Sequence, residues 1–247
     1  CSRKAGACNV NWFTWHWRQR EVVDVVALGI EDECGALCWR ETCERWLGAL
    51  HAARLAVVKS GAIGVPTQVQ VSSTHDYHAI SLMRGYLGTG IGPVSVNATA
   101  FSAPLQNPSS RNSWNLDPEP VLTQSRIATI QFDSTLSGLY DFTDNQWHNQ
   151  LRFRRIIVRG SGGEINDDQV IKWIQPDNFV TAPIVRRQTG YDLDLDGYRT
   201  DHLSFNSEII YKNPFNGQSW SDEEIAIATM ILEMADWVAQ RGPAPYP

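Results

Sequence analysis

The chain has 247 residues, with 21 Lys and Arg against 27 Asp and Glu, a formal net charge of −6. That balance speaks against a nucleic-acid partner, because neutralising phosphates needs a basic face. Hydrophobic residues at 43% and charged residues at 19% give an ordinary globular composition, and no apolar run approaches the roughly 20 residues needed to cross a bilayer, so no membrane partner is expected.

The five cysteines stand at positions 1, 8, 34, 38 and 43. An odd count confined to one end is not a disulfide framework. The spacing within Cys34, Cys38 and Cys43 is also wrong for paired zinc ligands. Reduced thiols, a cytoplasmic location and no metal are the expectations. The start, Cys1-Ser2-Arg3-Lys4-Ala5-Gly6, carries no apolar signal core. It lacks an initial Met, and a processed, trimmed or fragmentary chain is expected.

Residues 1–12 read as a helix end followed by a short strand. Within 18–46, Val22 to Leu28 is strand-like, whereas Glu31 to Trp46 forms no clean apolar stripe. Leu47 to Lys59 reads as a helix: Leu50, Ala53, Leu55, Val57 and Val58 make its apolar face, and His51, Arg54 and Lys59 fall outside it. Thr67 to Ser73 alternates as a strand, and His78 to Leu87 reads as a second helix.

From Pro93 to Tyr211 the pattern is strands and turns. The candidate strands are 94–98, 126–133, 137–142, 154–159, 163–167, 169–174 and 203–211, with Gly160-Ser161-Gly162-Gly163 as a hairpin turn. Ser221 is a good N-cap, followed by Asp222, Glu223 and Glu224 at a capping-box spacing. Ile225, Ala228, Ile231, Leu232, Ala235 and Val238 are the expected buried face of this last helix. The fold class is α+β: one large, open, mostly antiparallel sheet with helices packed on one face.

Several motifs bear on chemistry. His75-Asp76-Tyr77-His78 follows a strand and opens a helix, so its side chains are expected at a cleft edge, where a His can exchange protons near neutral pH. The competing reading is a capping or surface cluster. Asp192-Leu193-Asp194-Leu195-Asp196-Gly197 copies the first half of a calcium loop, but Leu203 stands where the bidentate Glu is needed, so it reads as a decoy. Tyr140 to Asn149 is dense in aromatic and amide groups, a mixture suited to a polyol pocket. A strand end with a solvated loop would have the same composition. No dinucleotide fingerprint, Walker motif or nucleophile elbow occurs.

Taken in order, several segments resemble the C-terminal domain of the Gfo/Idh/MocA oxidoreductases, the glucose–fructose oxidoreductase and inositol dehydrogenase family. They are Ser60-Gly61-Ala62-Ile63-Gly64, His78 to Arg84 with Tyr86-Leu87-Gly88, Val158 to Glu164, Tyr211 to Phe215 and Asp222 to Ala226. The resemblance implies 1–17 as the end of a Rossmann domain, 18–46 as an atypical insert and 47–247 as a substrate-binding and oligomerisation domain. It implies a sugar, polyol or related hydroxyl compound as substrate, NAD or NADP as cofactor, and a homo-oligomer formed through the sheet face. His78 takes the family's proton-transfer position. Asp76 and His75 assist it, and Gln146, Trp147 and Arg159 are expected in the substrate pocket. Thr74 stands where the family often has Asp. The glycine fingerprint and the family's Glu-Lys-Pro lysine are missing, so the chain alone is expected to be inactive. The alternatives are a non-catalytic binding or assembly module and a truncated gene product.

Overall fold

The structure, a computed structural model, describes residues 23–25, 48–90, 92–109, 113–117, 119–189, 199–215 and 217–242. All five cysteines and the Asp192–Gly197 segment lie outside these residues. So do residues 1–17 and all but three residues of the expected insert.

A nine-stranded sheet forms the body. Its strands are β1 (Val23–Val25), β2 (Pro66–Ser72), β3 (Val94–Leu105), β4 (Val121–Gln131), β5 (Ser137–Thr143), β6 (Arg155–Gly160), β7 (Gly163–Asn166), β8 (Gln169–Gln175) and β9 (Asn178–Pro183). They run in the order β1-β3-β4-β5-β2-β6-β7-β8-β9. Every neighbouring pair is antiparallel except β2 and β5, which are parallel. A second sheet joins β10 (Val185–Gln188), β11 (Thr200–Phe205) and β12 (Glu208–Lys212). The helices are α1 (Ala49–Lys59), α2 (Asp76–Leu87) and α3 (Asp222–Val238).

The period of two along each strand divides the large sheet into two faces. Val69, Val71, Tyr140, Phe142, Ile156, Val158 and Ile165 point to one face, where they pack with Ala53 and Val57 of α1 and with Ala79, Leu82, Met83 and Tyr86 of α2. Gln68, Gln70, Asn97, Thr129, Asp141 and Glu164 point to the other. The expected α+β class, with helices on one face of an open sheet, is the observed one. The small sheet lies against the far side of α1.

Because α1 is covered on more than one side, Arg54 is not outside the apolar face as its periodicity suggested; it is only 4% exposed. Its Nε donates to the Asp167 carbonyl at 2.6 Å, and its guanidinium lies 3.7 Å from the Asp167 carboxylate. Asp167 takes a left-handed φ of 54° in the β7–β8 turn, and its carboxylate also accepts from the Ile156 amide. The buried cation thus ties α1 to the rim of the sheet. Next to it the Tyr86 hydroxyl lies 3.1 Å from His51 Nδ1, and burial pushes that phenol up to about 12.

The expected strand 203–211 is instead the β11–β12 hairpin. Asn206 and Ser207, at φ 50° and 69°, make its two-residue turn in the primed geometry that matches strand twist. Strands β9 and β10 were not expected. The capping box on α3 forms: the Ser221 hydroxyl accepts from the Glu224 amide and the Glu224 carboxylate accepts from the Ser221 amide. Of its expected apolar face, however, only Ile225 is buried. The buried residues are Ile225, Ala226 and Met230, all in the first half, while Ile231 and Val238 are 60% and 74% exposed. The helix is anchored at its start, where Asp222 receives a bidentate pair of bonds from Arg186, and its second half runs beyond the described core.

Candidate functional site

The parallel pair β2 and β5 brings two strand ends to the same edge of the sheet. From β2 the chain passes through Ser73, Thr74 and His75 into α2. His75 is the N-cap residue, with extended backbone and its carbonyl accepting from the Ala79 amide at 2.9 Å. Asp76 is the first residue of the helix, where a carboxylate is favoured by the partial positive charge of the free amides.

From β5, alternation turns Tyr140 and Phe142 toward the helix. The Tyr140 hydroxyl donates to Asp76 Oδ1 at 2.6 Å, which fixes the carboxylate, and Oδ2 makes no hydrogen bond among the described residues. Burial pushes the Tyr140 phenol far above its usual range, and the bond to Asp76 and that group's charge push it further in the same direction. Tyr140 therefore remains a proton donor in this pair at any ordinary pH. Phe142 stacks on Tyr140 at 6.0 Å and meets the exposed His75 ring edge-on at 5.3 Å.

His78 lies one turn into α2 with its ring 4.0 Å from that of Tyr77. It is only 7% exposed, so it does not stand on an open cleft edge as its position before the helix suggested. Its neighbour Tyr77 is the exposed member of the pair, at 46%. Thr74 is also buried, and its hydroxyl has no hydrogen-bond partner among the described residues.

Gln146 and Trp147 reach the same edge by the turn after β5. Gln146 is buried, and its amide is used by backbone: Oε1 accepts from the Thr143 amide, and Nε2 donates to the carbonyls of Ser72 at 2.7 Å and Phe153 at 2.6 Å. It braces the end of β2 against the 144–154 loop. Trp147 packs partly on the core, its ring edge-on to His148 at 4.2 Å. With Asn149, Gln150, Arg152 and Arg154, these residues line a pocket of about 270 Å³.

Arg159 is not part of this arrangement. It stands on β6 opposite Gln68, near the start of β2 rather than its end, and faces away from the helices. There it pairs with Glu164 at 2.8 Å and donates to the Gln68 side chain. Tyr140, which the sequence places in the Tyr140–Asn149 pocket candidate without an individual role, is the group that joins β5 to the His75–His78 segment. Its signal was the alternation of β5, which makes Tyr140 and Phe142 inward neighbours.

The described residues offer no cradle for a nicotinamide dinucleotide. The glycine-rich turn at 160–163 is closed by other backbone. The Gly162 amide donates to the Ile63 carbonyl at 2.9 Å, and a Cβ on Gly160 would meet that carbonyl oxygen at 2.1 Å. The N-terminus of α3 is occupied by its own capping box.

No protein-family profile matches the chain, and no curated protein matches it. Among solved structures the chain is similar to an oxidoreductase from Sinorhizobium meliloti, at 12% identity and a TM-score of 0.41 over 83% of this chain and 56% of that one. It is similar to levoglucosan dehydrogenase in its apo form, at 16% identity and a TM-score of 0.44 over 82% of this chain and 58% of that one. It is also similar to an oxidoreductase from Agrobacterium radiobacter in complex with NAD+, L-tartaric acid and magnesium, at 14% identity and a TM-score of 0.44 over 82% of this chain and 55% of that one. The chain spans less than two thirds of the length of each of these three structures.

Proposed function

We propose that the chain is a substrate-binding domain of the Gfo/Idh/MocA type, acting on a sugar, polyol or related hydroxyl compound in an NAD(P)-dependent oxidoreductase. The observation that carries this reading is the Tyr140–Asp76 pair, which presents an oriented carboxylate between two histidines at one sheet edge. The ordered motifs of the sequence and the open sheet with helices on one face support it. The cofactor would come from outside the described residues.

In this site Asp76 Oδ2 accepts a hydrogen bond from a substrate hydroxyl, and Tyr140 keeps the carboxylate aimed. His78 takes the proton that the hydroxyl loses on oxidation, an imidazole being suited to that exchange near neutral pH. His75, exposed beside Asp76, orients the neighbouring hydroxyl. Trp147 supplies apolar surface, and Gln146 fixes the loop. Arg159 lies too far along β2 to share this pocket and serves the outer face. A non-catalytic binding module is the second reading, favoured by the burial of His78.

Calorimetric titration of the chain with a panel of cyclitols, sugars and linear polyols tests the binding half. At least one compound is expected to bind, and Asp76→Asn should weaken it about tenfold or more, the effect of removing a charged hydrogen-bond acceptor. Absence of binding throughout the panel, or an Asp76→Asn variant as tight as the parent, would overturn the assignment.

We also propose that two copies associate through the outer face of the large sheet. Phe101, Ile127, Ile171, Trp173 and Phe179 are exposed there, between 39% and 67%, among polar residues that can pair across a two-fold axis. Sedimentation at several concentrations should give a dimer or larger species, and Trp173→Glu should shift it to monomer. A parent chain that stays monomeric at high concentration contradicts this.

A further inference from the structure

We propose that the pocket of the 146–154 loop is an anion-recognition site, taking the carboxylate or phosphate group of a hydroxylated ligand through Arg152 and Arg154. The loop is held in place by two buried amides. Gln146 ties it to Ser72 and Phe153, while Asn149 donates to the Gln106 carbonyl at 2.9 Å and accepts from the Leu151 amide at 2.8 Å. The backbone closes on itself as well, with the Asn149 amide donating to the Asn145 carbonyl at 2.9 Å and the Arg152 amide to the Asn149 carbonyl at 3.2 Å. The pocket walls are therefore set before any ligand arrives.

Charge marks the pocket. Arg54, Arg126, Arg155, Arg159, Arg186 and Arg241 each pair with a carboxylate. Arg152 and Arg154 pair with none among the described residues; each makes one long bond to a backbone carbonyl, at 3.3 Å to Leu151 and 3.5 Å to Trp147. The nearby acids are engaged elsewhere, Asp144 with Arg126 and Asp141 with Arg155. No acidic side chain lines the pocket. Two uncompensated guanidiniums around one concavity, in a chain of net charge −6, make a local positive field. A planar guanidinium fork matches carboxylate and phosphate oxygens in pairs.

The rest of the lining suits the carbon skeleton of such a ligand. Trp147 and His148 present adjoining ring edges, and His148 Nδ1 has no hydrogen-bond partner among the described residues. A volume of about 270 Å³ admits one small sugar acid or sugar phosphate and little more. The Gln146 bond to the Ser72 carbonyl places the pocket at the strand end that leads to Asp76, so the anionic group and the reacting hydroxyl would belong to one molecule. Only that last step rests on the proposed function; the anion site itself does not.

Calorimetry of the chain with glucuronate, glucose phosphate and glucose at low ionic strength is the test. At least one of the two anions is expected to bind about ten- to a hundredfold more tightly than glucose, with Arg152→Ala and Arg154→Ala each removing a similar factor for the anion and leaving glucose unchanged. Arg154→Lys should retain part of the effect, because the charge stays while the fork is lost. Preference for glucuronate alone assigns a carboxylate, preference for glucose phosphate alone a phosphate, and both together the shared chemistry. Glucose binding as tightly as both anions overturns the anion site and leaves the hydroxyl site standing. No binding by any of the three overturns the anion site, and the cyclitol panel then decides the hydroxyl site separately. Anion binding unchanged in the Arg152→Ala/Arg154→Ala double variant overturns the assignment to these residues. Both side chains are exposed, so the fold should survive every substitution.

Discussion

Gly160→Ala should lower the free energy of unfolding by about 3 kcal/mol, the upper end of the usual cost of overpacking. Gly160 closes β6 where the strand passes under the loop after α1. A methyl group there would stand 2.1 Å from the Ile63 carbonyl oxygen and 3.0 Å from its carbon. Neither atom is the far end of a flexible side chain, and both are held by local bonds. The Ile63 carbonyl accepts from the Gly162 amide, and the Ser161 amide donates to the Val65 carbonyl. Relief therefore means separating two backbone segments and breaking those bonds. Gly163→Ala should behave alike, since its Cβ would meet the Ile171 carbonyl oxygen at 2.2 Å across the β7–β8 pair. Gly90→Ala and Gly92→Ala are the controls: nothing lies within 4 Å of a Cβ at either position, and changes within about 0.5 kcal/mol are expected. Urea unfolding followed by circular dichroism gives all four values. A Gly160→Ala midpoint indistinguishable from the controls would show that the β6–β7 turn is not packed against the 63–65 loop in solution.

Those glycines were legible in the sequence as a turn, but the reason for them was not. A hairpin asks for glycine by its own backbone angles, whereas here Gly160 answers to a loop almost a hundred residues earlier and Gly163 to the backbone of the neighbouring strand β8. The same limit explains the other departures. Arg54 read as a surface residue because periodicity along α1 assumes one buried side, yet the β7–β8 turn at Asp167 meets the helix there and buries it. The apolar residues of α3 read as a core face, but Ile231, Leu232 and Val238 in its second half are exposed. The Asn206-Ser207 turn was missed because neither residue is glycine, although Asn is the residue that best tolerates a left-handed backbone. What was legible was local. Alternation gave β2, β4, β5 and β8, the Ser221 box gave the start of α3, and His75-Asp76-Tyr77-His78 marked the strand-to-helix junction. Tyr140, Arg152 and Arg154 needed the pairing of β2 with β5 before they could be seen to share an edge with that junction.

His78→Ala should lower turnover by about a hundred- to ten-thousandfold, the usual cost of losing a general base, when the chain is assayed together with a nicotinamide-binding domain. The argument rests on place and on chemistry. His78 lies in the first turn of α2, two residues after the Asp76 whose carboxylate Tyr140 aims. In the proposed function it is the group that takes the hydroxyl proton. An imidazole is chemically suited to accept and release that proton. Burial makes the alanine variant ambiguous by itself, because a 7% exposed ring also contributes packing. His78→Gln keeps much of the volume and one hydrogen-bonding atom but cannot exchange the proton. It should retain the thermal midpoint and polyol affinity of the parent while turnover falls as in the alanine variant. His75→Ala should cost less, since its ring is exposed and lies outside the family's motif position. Steady-state kinetics against the polyol and sugar panel, with a thermal melt for each variant, separates the roles. Equal and small losses for His75→Ala and His78→Gln would remove His78 from the chemistry and leave the burial of this residue as a purely structural feature, which is the outcome the binding-module reading requires.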